Sequence, residues 1–179
     1  MMPRFLSLSA CAAAWVVVSA LCAPPAVAAP WGAAPALTAA YLFNLVKFVA
    51  WPTSADSIAL CVLNDPDAEA ALARLAAGNA IEGRGVTVLR QVTRDRLRSC
   101  DLVYISEDDG RAQQAFLADV RDQRILTISN GKQFARHGGM VGLMFDGGRL
   151  RFAINPEAAQ RSGLQISSML LSIAMVVHD

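Results

Sequence analysis

The sequence predicts one α/β domain: a mainly parallel sheet flanked by helices, finished by a C-terminal β-hairpin and helix. Three observations carry that reading. Short apolar runs of strand length recur between helical stretches through the middle of the chain, the pattern of strands covered on both faces by crossover helices. Near the C-terminus two apolar runs, Gly138 to Phe145 and Arg149 to Asn155, flank Asp146-Gly147-Gly148, which is a hairpin signal. Asn155-Pro156-Glu157 then supplies a helix cap, a proline suited to the first helical position and an acidic residue in the first turn.

In chain order, the first 28 residues read as an export signal. Arg4 is a minimal positive region, Phe5 to Leu21 is apolar, and Ala26-Val27-Ala28 is a cleavage signature. Cleavage is expected after Ala28, leaving a domain over 29–179. Leu8-Ser9-Ala10-Cys11 resembles a lipobox but lies too early in the apolar run, and Pro24 and Pro25 argue against an uncleaved anchor. The remaining ~150 residues suffice for one domain with its own core. The whole chain has a formal charge of +1, which falls to about 0 without Arg4, and no basic stripe stands out. Nucleic acid is therefore not an expected partner. No other stretch is long and apolar enough to cross a bilayer, so the expected location is the periplasm.

After an Ala/Pro-rich linker, a helix is expected from Ala36 to Ala50, stopped by Pro52. It is apolar almost all round, so it either is buried on most sides or docks a second surface. Helical spacing aligns Ala40, Asn44, Lys47 and Trp51, with Phe43 beside that line. Phe43 and Trp51 are the aromatics expected at the surface. Phe43, Lys47 and Trp51 are the candidate partner contacts there, with core packing the plain alternative for the two aromatics.

The middle reads as strand Ser57–Leu63, helix Pro66–Ala77, strand Gly85–Gln91, a turn at Arg94–Leu97, strand Leu102–Ser106, helix Asp109–Arg121 and strand Ile125–Ser129. In the second hairpin strand, Leu150, Phe152 and Ile154 share one face, and Arg149, Arg151 and Ala153 the other. Arg149 and Arg151 make that second face a further candidate for partner contact, because arginine is enriched at interfaces. The helix after Asn155 should end at Gly163, and a last helix should span Gln165–Val177.

No catalytic constellation assembles. His137 precedes Gly138-Gly139 with no paired nucleophile, and His178 adjoins the terminus, where it should be solvated. Two histidines without a patterned carboxylate cluster do not make a metal site. Gly83-Arg84-Gly85 and Asn130-Gly131-Lys132 each lack the rest of a phosphate-binding loop, so no cofactor is expected. Asn64-Asp65, Ser106 to Gly110 and Ser129 to Lys132 fall at the carboxyl ends of strands, where open α/β sheets bind ligands. Turn and cap chemistry is the plainer reading of the same residues, and any ligand set is unknown. Cys11 and Cys22 leave with the signal; Cys61 and Cys100 remain as an even pair in an oxidising compartment. A bridge is reasonable if their strands are neighbours, and two buried free thiols are the alternative.

Several blocks carry a resemblance. They are Tyr41-Leu42-Phe43-Asn44-Leu45-Val46-Lys47-Phe48-Val49-Ala50-Trp51-Pro52, Cys61-Val62-Leu63, Ser99-Cys100-Asp101-Leu102-Val103-Tyr104-Ile105-Ser106, Gly138-Gly139-Met140-Val141-Gly142, Gly148-Arg149-Leu150-Arg151-Phe152, Arg161-Ser162-Gly163-Leu164 and Ile166-Ser167-Ser168-Met169-Leu170-Leu171. In this order they resemble the YfiR-like family of periplasmic regulators. Ala153 departs from the pattern, where a longer polar residue would be expected. The resemblance implies a Cys61–Cys100 disulfide. It implies a repressor that binds the periplasmic domain of an inner-membrane diguanylate cyclase and lowers cyclic di-GMP signalling. It further implies an OmpA-like outer-membrane lipoprotein that can sequester the repressor, and members that can dimerise. A reading from a different class is a small-ligand sensor reporting to another membrane receptor, such as a histidine kinase. A periplasmic hydrolase is disfavoured by the missing triad.

Overall fold

The computed structural model describes residues 34–52, 55–107, 109–131, 133–146 and 149–178, with only the backbone at 145, 146 and 149. The expected export signal lies outside them. The chain begins with α1 (Ala34–Leu45), a 3-10 turn at Val46–Phe48 and the short strand β1 (Val49–Ala50). Then come β2 (Ser57–Leu63), α2 (Pro66–Ala76), β3 (Ala80–Ile81), β4 (Arg84–Leu89) and a 3-10 turn at Arg94–Ser99. β5 (Leu102–Ile105), α3 (Gly110–Asp119) and β6 (Leu126–Ser129) follow. A 3-10 turn at Ala135–His137 leads into the hairpin β7 (Val141–Asp146) and β8 (Arg149–Ile154). The chain closes with α4 (Pro156–Arg161), β9 (Gln165–Ile166), α5 (Ser168–Ile173) and β10 (Met175–Val176).

Eight strands form one sheet in the order β10-β8-β7-β6-β5-β2-β4-β3. The five from β4 to β7 in that order are parallel; β8 runs antiparallel to β7, and β3 to β4. From β2 the chain crosses outward to β4, then returns to the other side of β2 for β5, β6 and β7. The direction of winding thus reverses between β2 and β5. Side-chain alternation divides the sheet into two faces. Leu60, Val62, Leu102 and Tyr104 pack into one cluster with Leu42, Leu45 and Leu72 of α1 and α2. Cys61, Val103 and Ile105 point to the other, against Phe116 of α3, Val120 just after it and Phe134. The expected mainly parallel, helix-flanked sheet is therefore the fold.

Local caps place the helices. Asp65 Oδ1 accepts the Ala68 amide at 2.8 Å and starts α2, with Pro66 in its first turn. Asp109 Oδ1 accepts the Arg111 amide, and Asn155 Oδ1 the Ala158 amide. Asp65→Ala should cost about 1 kcal/mol in a denaturant titration, whereas Asp65→Asn should be nearly neutral, because asparagine caps as well as aspartate. Gly138 turns the chain at φ 94°, and a Cβ on the following Gly139 would overlap the ring of Phe134. Gly139→Ala should therefore destabilise by about 1–3 kcal/mol, as overpacking does, read from the urea midpoint.

Three expectations need correction. The first helix stops at Leu45, not Ala50, because Val49 and Ala50 pair antiparallel with Ile166 and Gln165. The single helix expected over Gln165–Val177 is three elements. Gln165 and Ile166 serve that same pairing, Ser167 Oγ caps α5 by accepting the Leu170 amide, and Met175-Val176 pairs parallel with Ala153-Ile154. Its apolar residues fit strand edges as well as a helix. Finally, the second face of β8 is not uniformly open: Arg151 is exposed, but Ala153 is buried among Ala135, Val177 and Met144.

Candidate functional site

The first group nominated by the sequence lies along α1 and the turn after it. Phe43 is only 7% exposed and belongs to the core, which corrects its expected place at the surface. The helix rotates it toward α2 and the sheet, whose apolar residues cover it. Asn44 and Lys47 are exposed. Asn44 Nδ2 donates to the Ala40 carbonyl at 2.8 Å, Lys47 Nζ donates to Asn44 Oδ1 at 2.9 Å, and the ammonium sits 5.5 Å from the centre of the Phe43 ring. Lys47 thus presents charge on a stem laid over the edge of the core. Trp51 does not continue the helical line, because the backbone has already become extended at Val49. It packs against the core with one part of its ring, and its Nε1 has no hydrogen-bond partner.

Around Trp51 the fold assembles a hollow of about 580 Å³ that also includes Arg98, Arg121, Gln123 and Arg124. The three guanidiniums are exposed and form no ion pair among the described residues. Gln123 Oε1 is a second buried atom without a partner. Asp101 and Asp122 also line the hollow and offset part of the guanidinium charge, leaving the three arginines in excess; Asp101 Oδ2 accepts the Ala59 amide at 2.7 Å. An aromatic edge framed by three unpaired arginines suits a partner with an acidic surface. Sequence reasoning missed these arginines because they come from a turn before β5 and from the α3–β6 connection, distant in sequence from Trp51 and without periodicity.

Arg151 is exposed on β8 and does not line that hollow; the Arg149 side chain lies outside the described residues. The two nominated surfaces are therefore separate. Cys61 and Cys100 are bonded, with Cα atoms 6.0 Å apart, which decides between bridge and free thiols. Cys61 lies within β2 and Cys100 just before the neighbouring strand β5. His178, expected to be solvated, has Nδ1 3.0 Å from Glu157 Oε1 at an exposed site. His137 ends a 3-10 turn, and its backbone carbonyl accepts a bond from Gln114 Nε2 at 3.1 Å.

The strand-end loops do converge. Asn130 Oδ1 accepts the Glu107 amide at 3.0 Å, and Asn130 Nδ2 donates to Ser106 Oγ at 3.3 Å, tying the end of β6 to the end of β5. Asp65, Tyr104, Ser106 and Asn130 open onto one crevice of about 770 Å³. Asp109 instead caps α3; Asp108 and Lys132 lie outside the described residues.

A family model for YfiR/HmsC-like proteins (DUF4154) matches residues 35–175. Among solved structures, a conserved domain protein from Vibrio cholerae O1 biovar eltor aligns with a TM-score of 0.51 at 14% identity, over 79% of this chain and 60% of that one. An ABC domain in complex with L-Trp from Streptococcus pneumonia aligns with a TM-score of 0.48 at 12% identity, over 80% of this chain and 60% of that one. The chain thus spans about 60% of either structure's length. The first of these likenesses concerns the fold alone.

Proposed function

This chain belongs to the YfiR/HmsC-like family of periplasmic, non-catalytic regulators, and from that premise we propose that it represses an inner-membrane diguanylate cyclase by binding the cyclase's periplasmic domain. The family match over residues 35–175 is the observation that carries the reading. The hollow around Trp51 supports it by offering an aromatic edge and unpaired positive charge on one face. Repression is then a population shift: the protein binds the inactive state of the cyclase more tightly than the active one. Driving a receptor from mostly active to mostly inactive needs a ~10⁴-fold difference in affinity between the two states. An OmpA-like outer-membrane lipoprotein that sequesters the free repressor would reverse the effect by mass action.

Cellular cyclic di-GMP in a deletion strain tests this. Deletion should raise it, and the wild-type gene should restore it. Arg121→Glu reverses an exposed charge beside Trp51 without touching the core, so it should leave protein level and melting temperature unchanged but fail to restore repression. Trp51→Ala should fail likewise, with some loss of stability because the ring also packs on the core. Unchanged cyclic di-GMP on deletion would overturn the cyclase reading. Full complementation by both variants would move the interface elsewhere.

A further inference from the structure

The crevice at the carboxyl ends of β2, β5 and β6 has no part in the repressor reading. It lies where the winding of the sheet reverses, between β2 and β5. Chains leaving two such strands turn to opposite faces, and the gap between them is the general ligand position in open α/β sheets. Its volume, about 770 Å³, falls within the range of small-molecule sites. One end is polar and the other apolar. At the polar end stand Thr38, Asp65 and Ser106; at the apolar end stand Ala135, Ala153 and Val177.

The polar end is rich in acceptors. Thr38 is only 5% exposed and lines the crevice. Asp65 uses Oδ1 on the Ala68 amide, which leaves Oδ2 available. Ser106 Oγ accepts one bond from Asn130 and retains a second lone pair. One carboxylate oxygen and two hydroxyl oxygens thus converge on a single region. Among the described residues Arg136 is the one cation lining the crevice; it is exposed and follows Ala135, which packs on Ala153 and Val177 at the apolar end. The single methyl of Ala153 keeps that end open.

We propose that this crevice binds a small amphiphile: an amine head held by Asp65, Thr38 and Ser106, and a short apolar body lying along Ala135, Ala153 and Val177. The head makes a charge-assisted hydrogen bond to Asp65, and the body displaces water from the apolar wall. The site stands independently of the Trp51 hollow, with which it shares no lining residue.

Hexylamine is the probe, with hexanoate as the control that Arg136 alone would favour. Thermal unfolding and calorimetric titration of the purified domain should show hexylamine binding and stabilising the wild type, with hexanoate inert. Asp65→Asn keeps the α2 cap, so it should fold normally yet weaken hexylamine about tenfold or more, the scale of one charge-assisted bond. Ala153→Leu leaves the head site intact and should weaken hexylamine by filling the apolar end. Equal binding of hexylamine by wild type and Asp65→Asn, or binding of hexanoate in preference to hexylamine, would overturn the proposal. So would the absence of any binding by the folded wild type.

Discussion

Replacing both Cys61 and Cys100 with alanine is expected to lower the unfolding free energy by about 3–4 kcal/mol, the chain-entropy value for the loop they close. The bond joins residues 39 apart in sequence, so it removes many conformations from the unfolded chain. It also ties β2 to the lead-in of β5, the two strands that flank the reversal of winding. Both cysteines are buried with Leu97, Val103 and Phe116. Alanine is the better replacement, because a serine hydroxyl there would add the penalty of an unsatisfied buried polar group. For a domain of this size each kcal/mol moves the melting temperature by about 2–4 °C, so a fall of roughly 6–16 °C is expected. Reductant should produce a similar fall in the wild type and none in the double variant. Equal melting temperatures for wild type and double variant would show that the bond adds nothing to stability. On the proposed repressor function, the variant should also repress poorly in the cell, through reduced abundance rather than a lost contact.

Phe134→Ala should be comparably damaging, at about 3–5 kcal/mol, the usual range for truncating a fully buried aromatic. Phe134 has no exposed surface, and its ring centre lies 6.4 Å from that of Phe116 on α3. The turn around it is built on the ring as well. The Phe134 amide donates to the Gly131 carbonyl at 3.0 Å, and the Gly139 amide donates to the Phe134 carbonyl at 2.9 Å. The bare Gly139 backbone lies against the same ring. Removing it opens a cavity that neighbours can fill only by distorting this turn. Chemical denaturation measures the loss, and a change under 1 kcal/mol would mean that the turn collapses to fill the space. Phe134 and the cysteines share one cluster, so their effects should not add.

The turn that Phe134 anchors connects stability to the crevice. It positions Ala135 against Ala153 and Val177, and the Ala135 carbonyl accepts from Asn155 Nδ2 at 3.0 Å. A variant at Phe134 should therefore disturb hexylamine binding as well as the fold. Asp65→Asn should disturb binding alone.

Much of this architecture is legible in the sequence because it is set locally. Asp65, Asp109 and Asn155 cap their helices with their own side chains three or fewer residues away. The run Ser57–Leu63 and the hairpin strands declare themselves by composition, alternation and turn residues. The Cys61–Cys100 pairing was half legible, since residue chemistry allowed it and only adjacency of β2 and β5 decided it. Tertiary structure alone settled the rest. Two-residue strands such as β1, β9 and β10 carry no period, so Val49-Ala50, Gln165-Ile166 and Met175-Val176 are extended only because partners far along the chain accept their backbone bonds. Phe43 and Trp51 belong to one apolar stretch, yet packing sends Phe43 into the core and leaves Trp51 beside Arg98, Arg121 and Arg124. The crevice was visible only as three polar loops, because strand order, which brings Asp65, Ser106 and Asn130 together, is fixed by long-range pairing rather than by any residue's own preference.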